Sequence, residues 1–172
     1  ETPGPDPLDR WTREVLEPVA AAFGAGFVHP SEEPFQPFQR WAQRADDVWQ
    51  SPIGLLIHAE HGLWHAYRGA FLFAEPLDGL PSVGGQVSPC VTCAGRPCLT
   101  GCPVDAFAAA GEPGGPPAYD VAACAGHLRS GVDPRCLDVG CAARLACPVN
   151  AGARYGSDQM RFHMRAFAGA HP

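Results

Sequence analysis

Eight cysteines fall between residues 90 and 147, and two of them stand in near-identical phrases. Gly101-Cys102-Pro103-Val104-Asp105-Ala106 is echoed by Ala146-Cys147-Pro148-Val149-Asn150-Ala151. The first phrase closes the run Cys90-x2-Cys93-x4-Cys98-x3-Cys102-Pro103, and the second follows Cys124, Cys136 and Cys141. Thiolates are the ligands of iron–sulfur clusters, usually about four to a [4Fe-4S] cube. A two-residue spacer lets one tight loop aim two sulfurs at the same cube. Backbone N–H groups in that loop donate to the cluster sulfurs and help to set the potential. The proline after each closing cysteine has no N–H, and its fixed φ suits the start of a helix. A short helix is therefore expected over residues 104–110. Two cysteine groups, each closed by Cys-Pro, imply two clusters and the handling of electrons.

In two-cluster bacterial ferredoxins the fourth cysteine of a run binds the other cluster. On that pattern cluster one takes Cys90, Cys93, Cys98 and the distant Cys147. Cluster two takes Cys102 with Cys124, Cys136 and Cys141, and no cysteine remains. The spacer between Cys93 and Cys98 is longer than the usual bacterial one, so Gly95, Arg96 and Pro97 must bulge. Zinc favours paired Cys-x2-Cys groups, but a single such pair occurs here, and zinc gives no reason for two Cys-Pro closures. Disulfides need an oxidising compartment. Residues 1–9 are acidic and proline-rich, without the apolar segment of a secretory signal.

At 172 residues and 46% hydrophobic, the chain has the material for a core and for one or two small domains. A formal net charge of −6 argues against a sequence-independent grip on nucleic acid. No apolar run approaches a membrane span. The expected partner is a redox protein, with no nucleic acid and no membrane, and the expected location is cytoplasmic.

The expected fold class is α+β: a small N-terminal α/β unit over residues 1–85, then a bacterial-ferredoxin-like two-cluster module with short helices and loops over residues 86–172. Leu8, Trp11, Val15, Leu16, Val19 and Phe23 recur at helical spacing and predict an amphipathic helix over 8–23, kinked or split at Pro18. Residues 27–29 read as a strand and 38–48 as a helix. Residues 53–58 read as a buried strand, and 62–73 as a short helix or turn followed by a strand. Residues 74–89 and 111–117, rich in Gly and Pro, read as connections. Residues 120–129 predict a helix carrying Cys124. Met160, Met164 and Phe167 share a face of a last helix, for which Ser157 is the expected N-cap.

Residues 86–155 resemble the C-terminal ferredoxin-like part of epoxyqueuosine reductase, the cobalamin-dependent tRNA-modification enzyme, and the matching part of reductive dehalogenases. Cys90-Val-Thr-Cys93, Cys98-Leu-Thr-Gly-Cys102-Pro103, Tyr119-Asp120 before Cys124, and Gly140-Cys141 before Cys147-Pro148 carry the resemblance. In that family the second group ends Gly-Cys-x2-Cys-x3-Cys-Pro. Here Arg144 stands at the middle position, and Cys136 is the replacement ligand. The resemblance implies a cobalamin-free relative, with residues 51–68 a relic of the family's cobalamin-binding region.

His58, Glu60, His61 and His65 crowd together, and His61 and His65 stand at i, i+4, where a helix would aim both at one metal. Arg96 and Arg144 fall inside the cysteine loops, where positive charge would favour the reduced cluster. No phosphate-cradling glycine motif and no nucleophile–base pair occurs. The expected function is electron transfer through two [4Fe-4S] clusters, to or from a redox partner, rather than catalysis. The alternative is a cobalamin-free, reductase-like enzyme whose N-terminal unit binds a substrate or second cofactor.

Overall fold

The computed structural model describes residues 6–107 and 118–172. In chain order these form α1 (Pro7–Ala22), β1 (Gly26–Val28), α2 (Phe38–Ala45), β2 (Val48–Gln50), β3 (Leu56–His58), β4 (Ala70–Leu72), α3 (Pro97–Thr100), α4 (Val121–Ser130), α5 (Arg135–Asp138), α6 (Ala142–Leu145) and α7 (Ser157–Ala170). Helices combine with two antiparallel two-stranded sheets, β1 with β4 and β2 with β3, which is an α+β mixture. The chain gathers into two compact units, Glu1–Asp46 with Ala66–Gly85, and Asp47–His65 with Gln86–Pro172. Residues 47–65 thus belong with the cysteines, although they lie within the first 85 of the sequence. The connection expected at 111–117 lies outside the described residues, as does the end of the helix expected over 104–110.

In the first unit α1 opens with Pro7 in its first turn, where a missing N–H costs nothing. Pro18 does not split it; the helix runs on to Ala22. Of its apolar stripe, Leu16 alone turns inward. Thr12 and Ala20 are buried, while Leu8, Trp11, Val15, Val19 and Phe23 stay exposed, Trp11 by 58%. The inward face is instead set by the β1–β4 pair. Gly69 approaches so closely that a Cβ there would stand 2.4 Å from the Phe27 ring and 3.1 Å from Leu16. Asp9 pairs with Arg68, and Arg13 with Glu32. His29 is 1% exposed, with Nδ1 2.8 Å from the Ser31 hydroxyl. Burial pushes its pKa down, against the pull of Asp9. α2 stops at Ala45 instead of reaching residue 48, because Asp46 is extended (φ −152°) and Val48 enters β2.

In the second unit β2 and β3 pair with Trp49 opposite Ile57. The run expected as a strand over 53–58 is one over 56–58 alone; Ile53 is buried in the preceding turn. Ile53, Ile57, Leu63, Cys98, Phe107, Ala143 and Cys147 form one buried cluster, so the cysteines are part of the core. The Asp120 side chain caps α4 by accepting from the Ala123 N–H at 2.8 Å, and Gly131 ends it in the left-handed region. The N-cap of α7 is Gly156; Ser157 is already helical. Residues 104–107 are not helical, because Asp105 takes φ 49°. The segment 59–65 is turn rather than helix.

Candidate metal centres

The two Cys-Pro phrases share a backbone feature. Asp105 and Asn150, at matching positions, both sit in the left-handed region, with φ 49° and 45°. Asp and Asn tolerate that region better than other residues with a Cβ. The turn after Cys102 brings the Ala106 N–H 3.4 Å from the Cys102 Sγ, where it donates to the sulfur. The spacer between Cys93 and Cys98 bulges as its length requires. Gly95 (φ 71°) and Arg96 (φ 40°) turn left-handed, and Pro97 then opens α3.

α3 and α6 lie against each other. A Cβ on Gly101 would meet Ala146 Cβ at 3.0 Å and the Pro97 carbonyl oxygen at 2.9 Å, so this approach needs glycine. Cys98 lies in α3 and Cys102 just after it, while Cys141 precedes α6 and Cys147 follows it. The helix pair therefore separates two cavities. One, with about 350 Å³ of atom-free space counted with the open solvent at its mouth, and about 20 Å³ that admits a water-sized sphere, is lined by Cys90, Cys93, Cys98 and Cys147, with Ser51, Ile57 and Leu63. The other, about 290 Å³ on the same count with solvent and again about 20 Å³ for a water-sized sphere, is lined by Cys102, Cys124, Cys136 and Cys141, with Phe107, His127 and Met164. No cysteine lines both cavities, and all eight thiols are free.

The electrostatics divide along the same line. Burial raises the Cys90 thiol pKa, and Cys98, Cys147 and Cys93 raise it further against the pull of Ser88. Burial also raises Cys98, with Cys147 and Cys93 adding to it. In the second set burial raises Cys124 and Cys141. Cys102 and Cys136 press on the former, Cys136 and Cys124 on the latter. Four crowded, buried thiols resist ionising together, and a cationic core between them removes that resistance.

Each cavity also carries a buried polar side-chain atom with no partner among the described residues: Ser51 Oγ in the first and His127 Nε2 in the second, the latter a donor when it carries the ring proton. Leaving such an atom unsatisfied costs about 1–3 kcal/mol. A cluster bound in each cavity would offer sulfide and thiolate acceptors to both. The donor sets and the orphaned donors therefore fit a [4Fe-4S] group in each cavity. Among the described residues no three His, Cys, Asp or Glu side chains close to the spacing of a single metal ion. Tetrahedral zinc would draw its sulfurs to about 3.8 Å from one another.

No protein-family model, curated protein or solved structure matches this chain. The geometry alone therefore carries the functional reading.

Arg144 does not face the second cavity. It donates through Nε and Nη2 to the Leu63 carbonyl, and its guanidinium stacks over the Trp64 and Tyr155 rings at 4.4 and 4.8 Å. Arg96 does line the first cavity. His58 and His61 stack at 4.5 Å, and His65 tilts against His58 at 5.7 Å. His58 Nδ1 accepts from the Glu60 and His61 N–H groups, and His65 Nδ1 lies 3.0 Å from the Gly62 carbonyl oxygen. Without a helix, the i, i+4 relation that would aim His61 and His65 at one ion is lost.

The sequence assigned no role at the site to three of its residues. Ser51 comes from the turn after β2, remote from any cysteine. His127 follows Cys124 by one helical turn, a spacing that signals a shared face. The Tyr119 hydroxyl hydrogen-bonds Cys124 and pulls that thiol down, while its own pKa is pushed well up by burial. Tyr119 is held by stacking on Phe107 at 4.8 Å.

Proposed function

We propose that this chain is an iron–sulfur electron-transfer protein with two [4Fe-4S] clusters. Cys90, Cys93, Cys98 and Cys147 hold one; Cys102, Cys124, Cys136 and Cys141 hold the other. The observation that carries the reading is the partition of eight cysteines, four and four, between two separate cavities.

When bound, each cube supplies a one-electron couple. The protein does the rest. Cys98 and Cys102 serve different sets, so α3 and Gly101 form a short covalent path between the two sites. Ile57 and Leu63 on one side, and Phe107 and Met164 on the other, keep the cavities apolar. Low local dielectric strengthens every hydrogen bond to sulfur. Ser51, His127 and the Ala106 N–H are the donors aimed at sulfur. Donation favours the more negative, reduced state and so raises the potential. Electrons come from or go to a separate redox partner.

The test is purification without oxygen, followed by iron, acid-labile sulfide and zinc analysis. The expected content is about eight iron and eight sulfide per chain. Zinc without sulfide would contradict the reading.

A further inference from the structure

A third cavity lies beside the second cysteine set. It is an open groove with about 880 Å³ of atom-free space, part of it shared with solvent. About 470 Å³ of it admits a water-sized sphere, which is in the range of small-molecule sites, roughly 300–1,000 Å³. Its walls are largely apolar, with Val139, Leu145 and Ala146 prominent, and Asp133 and Arg135 supply its charged end. Pro103, Cys136 and Ala142 line both this groove and the second cavity. The partition between them is therefore one residue thick, and one of its members is a proposed cluster ligand.

Resting on the two-cluster reading, we propose that this groove binds a planar, carbonyl-bearing aromatic redox carrier of the quinone class, with Cys136 as the point of electron exit. The concave shape and the volume suit a ring system; a protein partner would need a face burying about 1,000 Å² or more. Apolar walls receive the ring. Arg135, its side chain 81% exposed, donates through Nε and Nη2 to Asp133 at 2.6–3.0 Å, which leaves the Nη1 hydrogens for a carbonyl oxygen. The redox balance is simple. Clusters held by the two cysteine sets would supply one electron each on going from the reduced to the oxidised level. Two electrons from the two clusters and two protons from solvent convert one quinone to one hydroquinone.

The test uses the oxidised holoprotein and anthraquinone-2-sulfonate, whose fused rings leave no quinone carbon open to thiol addition. Calorimetry should give saturable binding. Val139 is 51% exposed, so Val139→Trp fills the groove without disturbing the core. It should weaken binding at least about ten-fold, or about 1.4 kcal/mol. Val132→Trp, at an 86% exposed site outside the groove, should leave binding unchanged. In stopped-flow, the reoxidation rate of the dithionite-reduced protein should saturate with quinone in the wild type and lose that saturation in Val139→Trp. Equal binding by Val139→Trp, or none by the wild type, overturns the proposal while iron analysis of the same sample still shows clusters. A sample without iron and sulfide overturns the cluster reading, and this one with it.

Discussion

The guanidinium of Arg144 hydrogen-bonds the carbonyl oxygen of Leu63, a residue 81 positions earlier that roofs the first cavity. An arginine in the second cysteine loop thus turns from the adjacent cavity and fastens the 61–65 turn to α6. Trp64 and Tyr155 enclose its flat faces and meet each other edge-on at 5.5 Å. Arg144→Leu removes a charged donor and two cation–π contacts. It should destabilise the second unit by about 2–3 kcal/mol. A lower urea midpoint with unchanged iron content is the expected outcome; loss of iron instead would mean that Arg144 serves the cluster directly.

Gly62 is a second tie between the same turn and the second Cys-Pro phrase. It has φ 59°, and a Cβ there would stand 2.4 Å from the Val149 carbonyl oxygen. Asn150 Nδ2 donates to the Glu60 carbonyl oxygen at 2.8 Å beside it. Gly62→Ala should cost about 2–4 kcal/mol, through strain and displaced backbone. Val149 follows Cys147-Pro148, so the displacement reaches cluster one first. Air exposure of the variant should release about four irons early and the rest at the wild-type rate.

Ser51 and His127 offer a test that reads the two proposed clusters separately. Each is an unpartnered buried donor in one cavity. Ser51→Ala should lower the potential of cluster one alone, and His127→Phe that of cluster two alone. Loss of one hydrogen bond, about 1 kcal/mol, corresponds to a shift on the order of 40–60 mV for one electron. Redox titration followed by electron paramagnetic resonance measures both; a shift in the opposite cluster would contradict the assignment.

His29 gives the first unit a pH dependence. Burial holds its pKa below the ordinary value, against Asp9 and Glu32 and with the help of Arg13 and Arg68. Below about pH 6.5 the unfolded chain takes up a proton that the folded unit resists. Stability is therefore constant above that pH and falls as the pH drops through it. Amide exchange in β1 and β4 should speed up between about pH 7.5 and 5.5 beyond its intrinsic pH dependence. His29→Gln, which cannot titrate, should remove that excess; an unchanged excess would assign it elsewhere.

Much of the site was legible because cysteine spacing is local information. The Cys-Pro repeat marked the paired turns that Asp105 and Asn150 share, and the crossed sets of four match the linings of the two cavities. The arrangement of the first unit was less legible. Helical spacing found α1 but assigned its inward face to the whole apolar stripe, whereas only Leu16 of that stripe turns inward, against Gly69, on a face shared with the buried Thr12 and Ala20. Such a choice depends on a strand pair distant in sequence. The expected helix after Cys102 failed at Asp105, where one left-handed residue outweighs a favourable Cys-Pro start. Ser51 carried no signal of its own and His127 only its one-turn spacing from Cys124, since an unsatisfied polar atom exists only once the chain has folded around it.

Iron and sulfide content of three variants tests the two-set account most directly. Cys98→Ala should lose about four irons and keep cluster two, while Cys136→Ala should lose about four and keep cluster one. The double variant Cys136→Ala with Arg144→Cys should not recover them, because position 144 faces Leu63, Trp64 and Tyr155 rather than the second cavity. Wild-type iron content in Cys136→Ala, or its recovery in the double variant, would contradict the account.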